Sequence, residues 1–150
     1  MSKSGSLSTL VKVIGVLVAV LTFLSGLVYS QSPSPPRMSE KSLRKIAKAT
    51  TKPLFPEDAI RQRQTGVAVA KMTIDESGSV FKVEVLEAPN ETIGASLTKA
   101  LLEWRFEPNE INGRPTKLTG KVTYYFVFQN GKPVVLSPDE APYLGRQSKR

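Results

Sequence analysis

The clearest hydrophobic pattern in the chain begins at Val67. From there to Ile74, Ala68, Ala70, Met72 and Ile74 share one face, and Lys71 and Thr73 point the other way. That period of two predicts a half-buried strand. Asp75-Glu76-Ser77-Gly78 reads as a turn, with glycine where positive φ is needed. Val80–Leu86 is the expected return strand, with Phe81, Val83 and Val85 inward and Lys82 and Glu84 outward. The two strands make a hairpin. A period near 3.6 follows. Asn90 caps a helix running to about Trp104, whose stripe is Ile93, Leu97, Ala100, Leu101 and Trp104. Pro108 stops the helix from resuming after Arg105-Phe106, and Asn112-Gly113 marks another turn. The longest strand is expected over Leu118–Phe128, with Val122, Tyr124, Phe126 and Phe128 on one face. Asn130-Gly131 is a strong hairpin signal, returning the chain into a brief strand, Val134-Val135-Leu136. Pro133 cannot donate to a ladder, so that strand belongs at a sheet edge.

Upstream, the pattern is different. Val13–Leu24 is uninterrupted apolar sequence, extended by Leu27-Val28-Tyr29 after Ser25-Gly26, and preceded by a polar start with Lys3 and Lys12. Two readings stay open. One is a signal peptide cleaved after Ser30, with small side chains at Val28 and Ser30. The other is an inner-membrane anchor over residues 10–29, near the short limit for a spanning helix. Residues 31–52 read as a linker. Gln31–Pro36 is Pro/Ser-rich and favours extended backbone. Ser39 then caps a short helix to about Ala49, with Leu43, Ile46 and Ala47 on one stripe and a basic opposite face. That basic face reads either as solvated or as a contact for an anionic membrane surface. Pro56-Glu57-Asp58-Ala59-Ile60 starts another helix, which Gly66 closes.

Together these elements predict an α+β fold. It is a two-layer sandwich: an antiparallel sheet of three to four strands, covered on one face by a long helix. The domain is expected over residues 53–138, and residues 139–150 read as a flexible tail.

Composition narrows the chemistry. The 150 residues include 21 Lys and Arg against 13 Asp and Glu, with no His and no Cys. Thiol catalysis, disulfides, Cys/His zinc sites and a Ser-His-Asp triad all lack a required residue. The net +8 lies outside the expected domain, since residues 53–138 hold ten basic and ten acidic side chains. A nucleic-acid binder wants a basic face on the fold itself, so no nucleic acid is expected as a partner. The acids Glu57, Asp58, Asp75 and Glu76 sit at cap and turn positions, and no carboxylate pair has a reason for separated pKa values. No enzyme activity, metal or cofactor is expected.

Four motifs carry a resemblance. They are Lys52-Pro-Leu-Phe-Pro-Glu-Asp-Ala-Ile60, the hairpin Ile74-Asp-Glu-Ser-Gly78-Ser-Val80, Trp104-Arg-Phe-Glu-Pro108 and Gly113-Arg-Pro115. In that order, over about residues 50–130, they resemble the C-terminal domain of TonB proteins. Phe55 stands where the family's first motif has Tyr, Pro-x-Tyr-Pro-x-x-Ala. The resemblance implies a non-catalytic domain on the periplasmic side of a bacterial envelope. It would grip a peptide of an outer-membrane TonB-dependent transporter by strand pairing, and would be coupled to inner-membrane motor proteins. Two features depart from the best-studied transducers. The apolar segment has no His, and the 22-residue linker spans at most about 75 Å. An exported structural or homodimerising module without energy transduction is therefore the alternative.

The motif residues read as turn, cap and core positions, so a site must be argued separately. The candidate is the edge Val134, Val135 and Leu136, where an extended partner peptide could add a strand. The competing expectation is that the tail from Ser137 to Arg150 covers this edge.

Overall fold

The computed structural model describes residues 34–141. The apolar segment expected to act in export, and the tail beyond Ala141, lie outside the described residues. Among the described residues, no helix is long and apolar enough to cross a membrane. The elements in chain order are β1 (Arg37–Met38), α1 (Glu40–Ile46), β2 (Ala47–Ala49), α2 (Glu57–Arg61), β3 (Gly66–Ile74), β4 (Val80–Glu87), α3 (Glu91–Leu102), β5 (Arg105–Phe106), β6 (Glu110–Ile111), β7 (Arg114–Pro115), β8 (Leu118–Gln129) and β9 (Lys132–Leu136).

The main sheet is built on β3, which pairs antiparallel with β4 on one side and with β8 along its whole length on the other. The outer side of β8 is shared. β9 pairs antiparallel with Tyr125–Gln129, and β1 pairs parallel with Thr119 and Gly120. The expected three- to four-stranded antiparallel sheet thus gains a short parallel strand, supplied by the stretch read as linker. The remaining strands pair in two small sheets, β2 with β5 and β6 with β7.

The alternation in β3 matches its burial. Ala68, Ala70, Met72 and Ile74 are all buried and face Val122, Tyr124, Phe126 and the helices. α3 supplies Ile93, Leu97 and Leu101 to that core. Asn90 Oδ1 accepts the Ile93 N–H at 2.8 Å, and Glu91 lies in the first turn, so both orphan donors and dipole are answered. The helix stops at Leu102, two residues before the expected end. Trp104 has left it and turns its ring into the core. α1 likewise ends at Ile46, before the expected Ala49, because Ala47–Ala49 extends to pair with Arg105 and Phe106.

One expectation is corrected. Phe81 and Val85 were expected inward, yet they are 51% and 41% exposed, while Val80 is buried. The pairing explains this. Ile74 is opposite Val80 and Thr73 is opposite Lys82, so Phe81 is an extra residue with no partner on β3. A second irregularity opposite Val69 and Ala70 ends the pleat near Leu86.

The β3–β4 turn is held from inside. The Asp75 carboxylate accepts the Ser77 hydroxyl at 2.6 Å and the Ser77 and Ser79 N–H groups, each at 2.9 Å. These bonds, the Ser77 hydroxyl first, favour the ionised form and hold the Asp75 pKa below its ordinary value. Gly78 has φ +86°, and a Cβ there would lie 2.2 Å from the Phe106 carbonyl oxygen. Only glycine lets this turn dock on β5.

A carboxylate clamp fastens the end of the described chain. Glu140 Oε2 accepts the Ser137 N–H at 2.8 Å and the Ser137 hydroxyl at 2.9 Å, while Oε1 pairs with Lys52. Lys52 first, and then the Ser137 backbone, lower the Glu140 pKa from 4.5 to about 2. A carboxylate whose pKa falls on folding stabilises the fold above its unfolded pKa and loses that contribution as pH drops through the folded value. Glu140→Gln should therefore lower the melting temperature at pH 7 by a small margin, since this pair is partly solvent-screened. The margin should shrink between pH 4.5 and about 2, as paired melting curves will show.

Candidate functional site

The structure places the three candidate residues on β9, at one end of the sheet's outer side. The side chains of Val134 and Leu136 lie on the sheet face opposite the main core, in a small cluster with Tyr125, Val67, Val127 and Ala141. Val135 points to the other face and packs against the main core. The tail as far as Ala141 therefore packs on a sheet face.

The main chain decides what this edge can offer. The Thr119 N–H donates to Pro36 O at 2.9 Å, so the odd-numbered residues of β8 turn their peptide groups away from β3. The register Tyr125–Leu136, Val127–Val134 and Gln129–Lys132 then directs the even residues of β9 toward β8. Pro133 and Val135 face outward. Pro133 has no N–H to give, and the Ser137 N–H is held by Glu140. Val135 thus presents the outward N–H of this edge, flanked by carbonyls.

Next to β9, the outer side of β8 is closed by side chains. The Thr123 N–H donates to Glu40 Oε1 at 3.0 Å, and Arg44 Nη2 donates to Thr123 O at 3.3 Å. The same Glu40 oxygen accepts from Arg44 Nη2 at 2.8 Å and Nε at 3.1 Å. A carboxylate takes the donor and a guanidinium serves the acceptor, as a neighbouring strand would. The Arg44 guanidinium lies 5.0 Å from the Tyr124 ring centre and 5.5 Å from that of Trp104, within cation–π range. Burial works against its charge, but the Tyr124 hydroxyl and the Glu40 carboxylate outweigh it and hold the pKa above its ordinary value. Below the pair, fully buried Leu43 fills a notch left by Gly120, where a Cβ would come within 2.2 Å of Leu43 Cδ1. A groove of about 440 Å³ adjoins this contact, lined by Arg37, Glu40, Lys71, Leu86 and Lys121 among others.

The sequence reading missed this contact because it treated the basic helix face as solvated or membrane-facing. The spacing of Glu40 and Arg44 does signal a helical ion pair. Nothing local signals that the pair reaches a strand 83 residues later.

The arrangement offers main-chain hydrogen bonding at strand edges. Among the described residues, no cluster of three or more His, Cys, Asp or Glu could hold a metal ion.

Residues 51–128, just over half of the chain, match the family model described as the Gram-negative bacterial TonB protein C-terminal. The chain belongs to the TonB C-terminal family. Six chains of solved structures also match. One is the solution NMR structure of the Pseudomonas aeruginosa TonB C-terminal domain, 22% identical, with a TM-score of 0.48, covering 56% of this chain and 86% of that one. No curated protein matches. TonB C-terminal domains are non-catalytic and serve energy-coupled transport at the outer membrane, from the periplasmic side of the Gram-negative envelope. The Trp104–Pro108 motif lies wholly within the matched residues, and its Trp104 and Phe106 are core anchors.

Proposed function

We propose that the chain is a TonB-like periplasmic binding protein that captures an extended peptide of an outer-membrane TonB-dependent transporter by strand addition. The observation that carries this reading is the family match over residues 51–128. The peptide pairs along Val134, Val135 and Leu136, with main-chain bonds supplying affinity and the flanking side chains selecting sequence. Residues 53–138 form the binding domain, residues 31–52 tether it, and the apolar segment before them exports the protein or anchors it in the inner membrane. Inner-membrane motor proteins would drive it from that side.

The outward N–H of Val135 supports this placement, because Pro133 and the capped Ser137 leave it as the donor a peptide would need. Val135→Pro should lower the affinity for peptides tiling the periplasm-facing segments of an outer-membrane transporter by at least about tenfold, the loss of roughly one well-made bond. The melting temperature should change little, since an edge residue supports few core contacts. Fluorescence titration of wild type and variant, below both melting temperatures, checks this. Equal affinity would move the site off β9.

A further inference from the structure

Each other strand edge carries its own guard. β9 presents Pro133 outward, and the open edge of β4 carries Lys82, Glu84 and irregularities near both ends. The outer side of β8 differs. β8 spans twelve residues, of which β9 pairs only with Tyr125–Gln129. The remaining seven, Leu118–Tyr124, are enough for a strand of ordinary length. They are covered by a two-residue parallel strand at Thr119 and Gly120, and by the Glu40–Arg44 pair at Thr123. A side-chain pair satisfies one peptide unit. A peptide strand laid along the same stretch would satisfy the outward groups of Thr119, Lys121 and Thr123 together.

We infer that the segment Arg37–Arg44 is a displaceable latch over Leu118–Tyr124 of β8, and that releasing it opens a second strand-addition site for an extended peptide. This inference rests on the strand-addition reading above. Its moving parts are β1 and the side chains of Glu40 and Arg44. α1 itself stays seated, because Leu43 is fully buried in the Gly120 notch. Ser39, extended at φ −67° and ψ 152°, is the joint between the two. The latch therefore swings at Ser39, uncovering Thr119 and Gly120, and the two side chains withdraw from Thr123. The charged groups that face this contact are those of Arg37, Glu40, Arg44, Lys71 and Lys121. The occupant that replaces the latch is an extended peptide whose main chain supplies what Glu40 and Arg44 supply now.

The natural chain has no Cys, so a reversible lock can be built cleanly. Arg37 and Thr119 are directly paired across β1 and β8. Arg37→Cys with Thr119→Cys, in the full chain, pins the latch when oxidised and frees it when reduced. The probes are the same fluorescein-labelled transporter peptides. The oxidised protein should bind at least tenfold more weakly than the reduced one. Equal binding of a peptide by both redox states overturns the latch. Amide exchange of the unliganded reduced protein gives an independent reading. The Thr123 N–H should exchange at least tenfold faster than the Ala70 N–H in the sheet centre, and oxidation should slow it. Exchange of Thr123 and Ala70 at one common rate overturns the latch even if no peptide binds. Opening at Thr123, with no peptide bound in either state, instead refutes strand addition and leaves β1 as the mobile element.

Discussion

Trp104→Ala is expected to unfold the domain at physiological temperature. The Trp104 ring is fully buried, although it lies just past the end of α3. Its Nε1–H donates to Thr51 O at 2.9 Å. Its ring centre lies 5.9 Å from that of Phe106, and the Arg44 guanidinium sits over it. Truncating a buried aromatic of this size costs about 3–5 kcal/mol. The substitution also orphans the Thr51 carbonyl and one aromatic wall of the Arg44 site, each a further cost. A domain of this kind is stable by only about 5–15 kcal/mol. Thermal and urea melts followed by circular dichroism check this. A melting curve unchanged by the substitution would mean that the ring carries no core energy and that Trp104 serves a surface role.

Val122→Pro should be as damaging by a different route. Val122 is fully buried in the middle of β8, opposite Ala70 on β3. Its peptide group faces β3, since that of Thr123 faces the other way to Glu40. Proline removes that N–H from the central ladder and forces its ring into a packed pleat. β8 contacts β3, β9, β1 and α1, so a break at Val122 disconnects most of the sheet. The far-ultraviolet strand signal should be lost at temperatures where wild type and Val135→Pro are both folded. That contrast separates a central strand from an edge strand by one substitution type. A cooperative, wild-type-like melt for Val122→Pro would contradict the assigned register.

Much of this fold is legible in the chain because its strands and main helix each bury one face. Ala68, Ala70, Met72 and Ile74 alternate because one side of β3 meets the helices, and the Ile93–Leu97–Leu101 stripe repeats because α3 lies across that side. The turns are legible through Gly78, Gly113 and Gly131, each at positive φ. Phe81 was placed wrongly because a period of two assumes an unbroken register, and the bulge opposite Ile74 breaks it without changing composition. The Trp104–Pro108 motif was legible as family and as core. The end of α3 before Trp104 was not, since the stripe continues in phase past the last helical residue.

The candidate site was legible only in part. Asn130-Gly131 and Pro133 announce a hairpin whose return strand lies at an edge, and β9 is there. What stands next to that edge could not be read. Leu43 in the Gly120 notch, and Glu40 with Arg44 on Thr123, join positions about eighty residues apart through shape and charge. Local periodicity carries no record of such partners. A basic helix face looks the same whether its arginine is solvated or lies between two aromatic rings.

The central claim is that this domain recognises its partner through peptide main chain at a sheet edge. The direct measurement is amide exchange and isotope-edited NMR on the labelled chain with a bound peptide from the periplasm-facing part of an outer-membrane transporter. Strand addition predicts slowed exchange at alternate peptide amides and at Val135, with cross-strand Hα and amide contacts in fixed register. Slowed exchange confined to side chains of the peptide, with every edge amide of the domain exchanging as in the free protein, would contradict it.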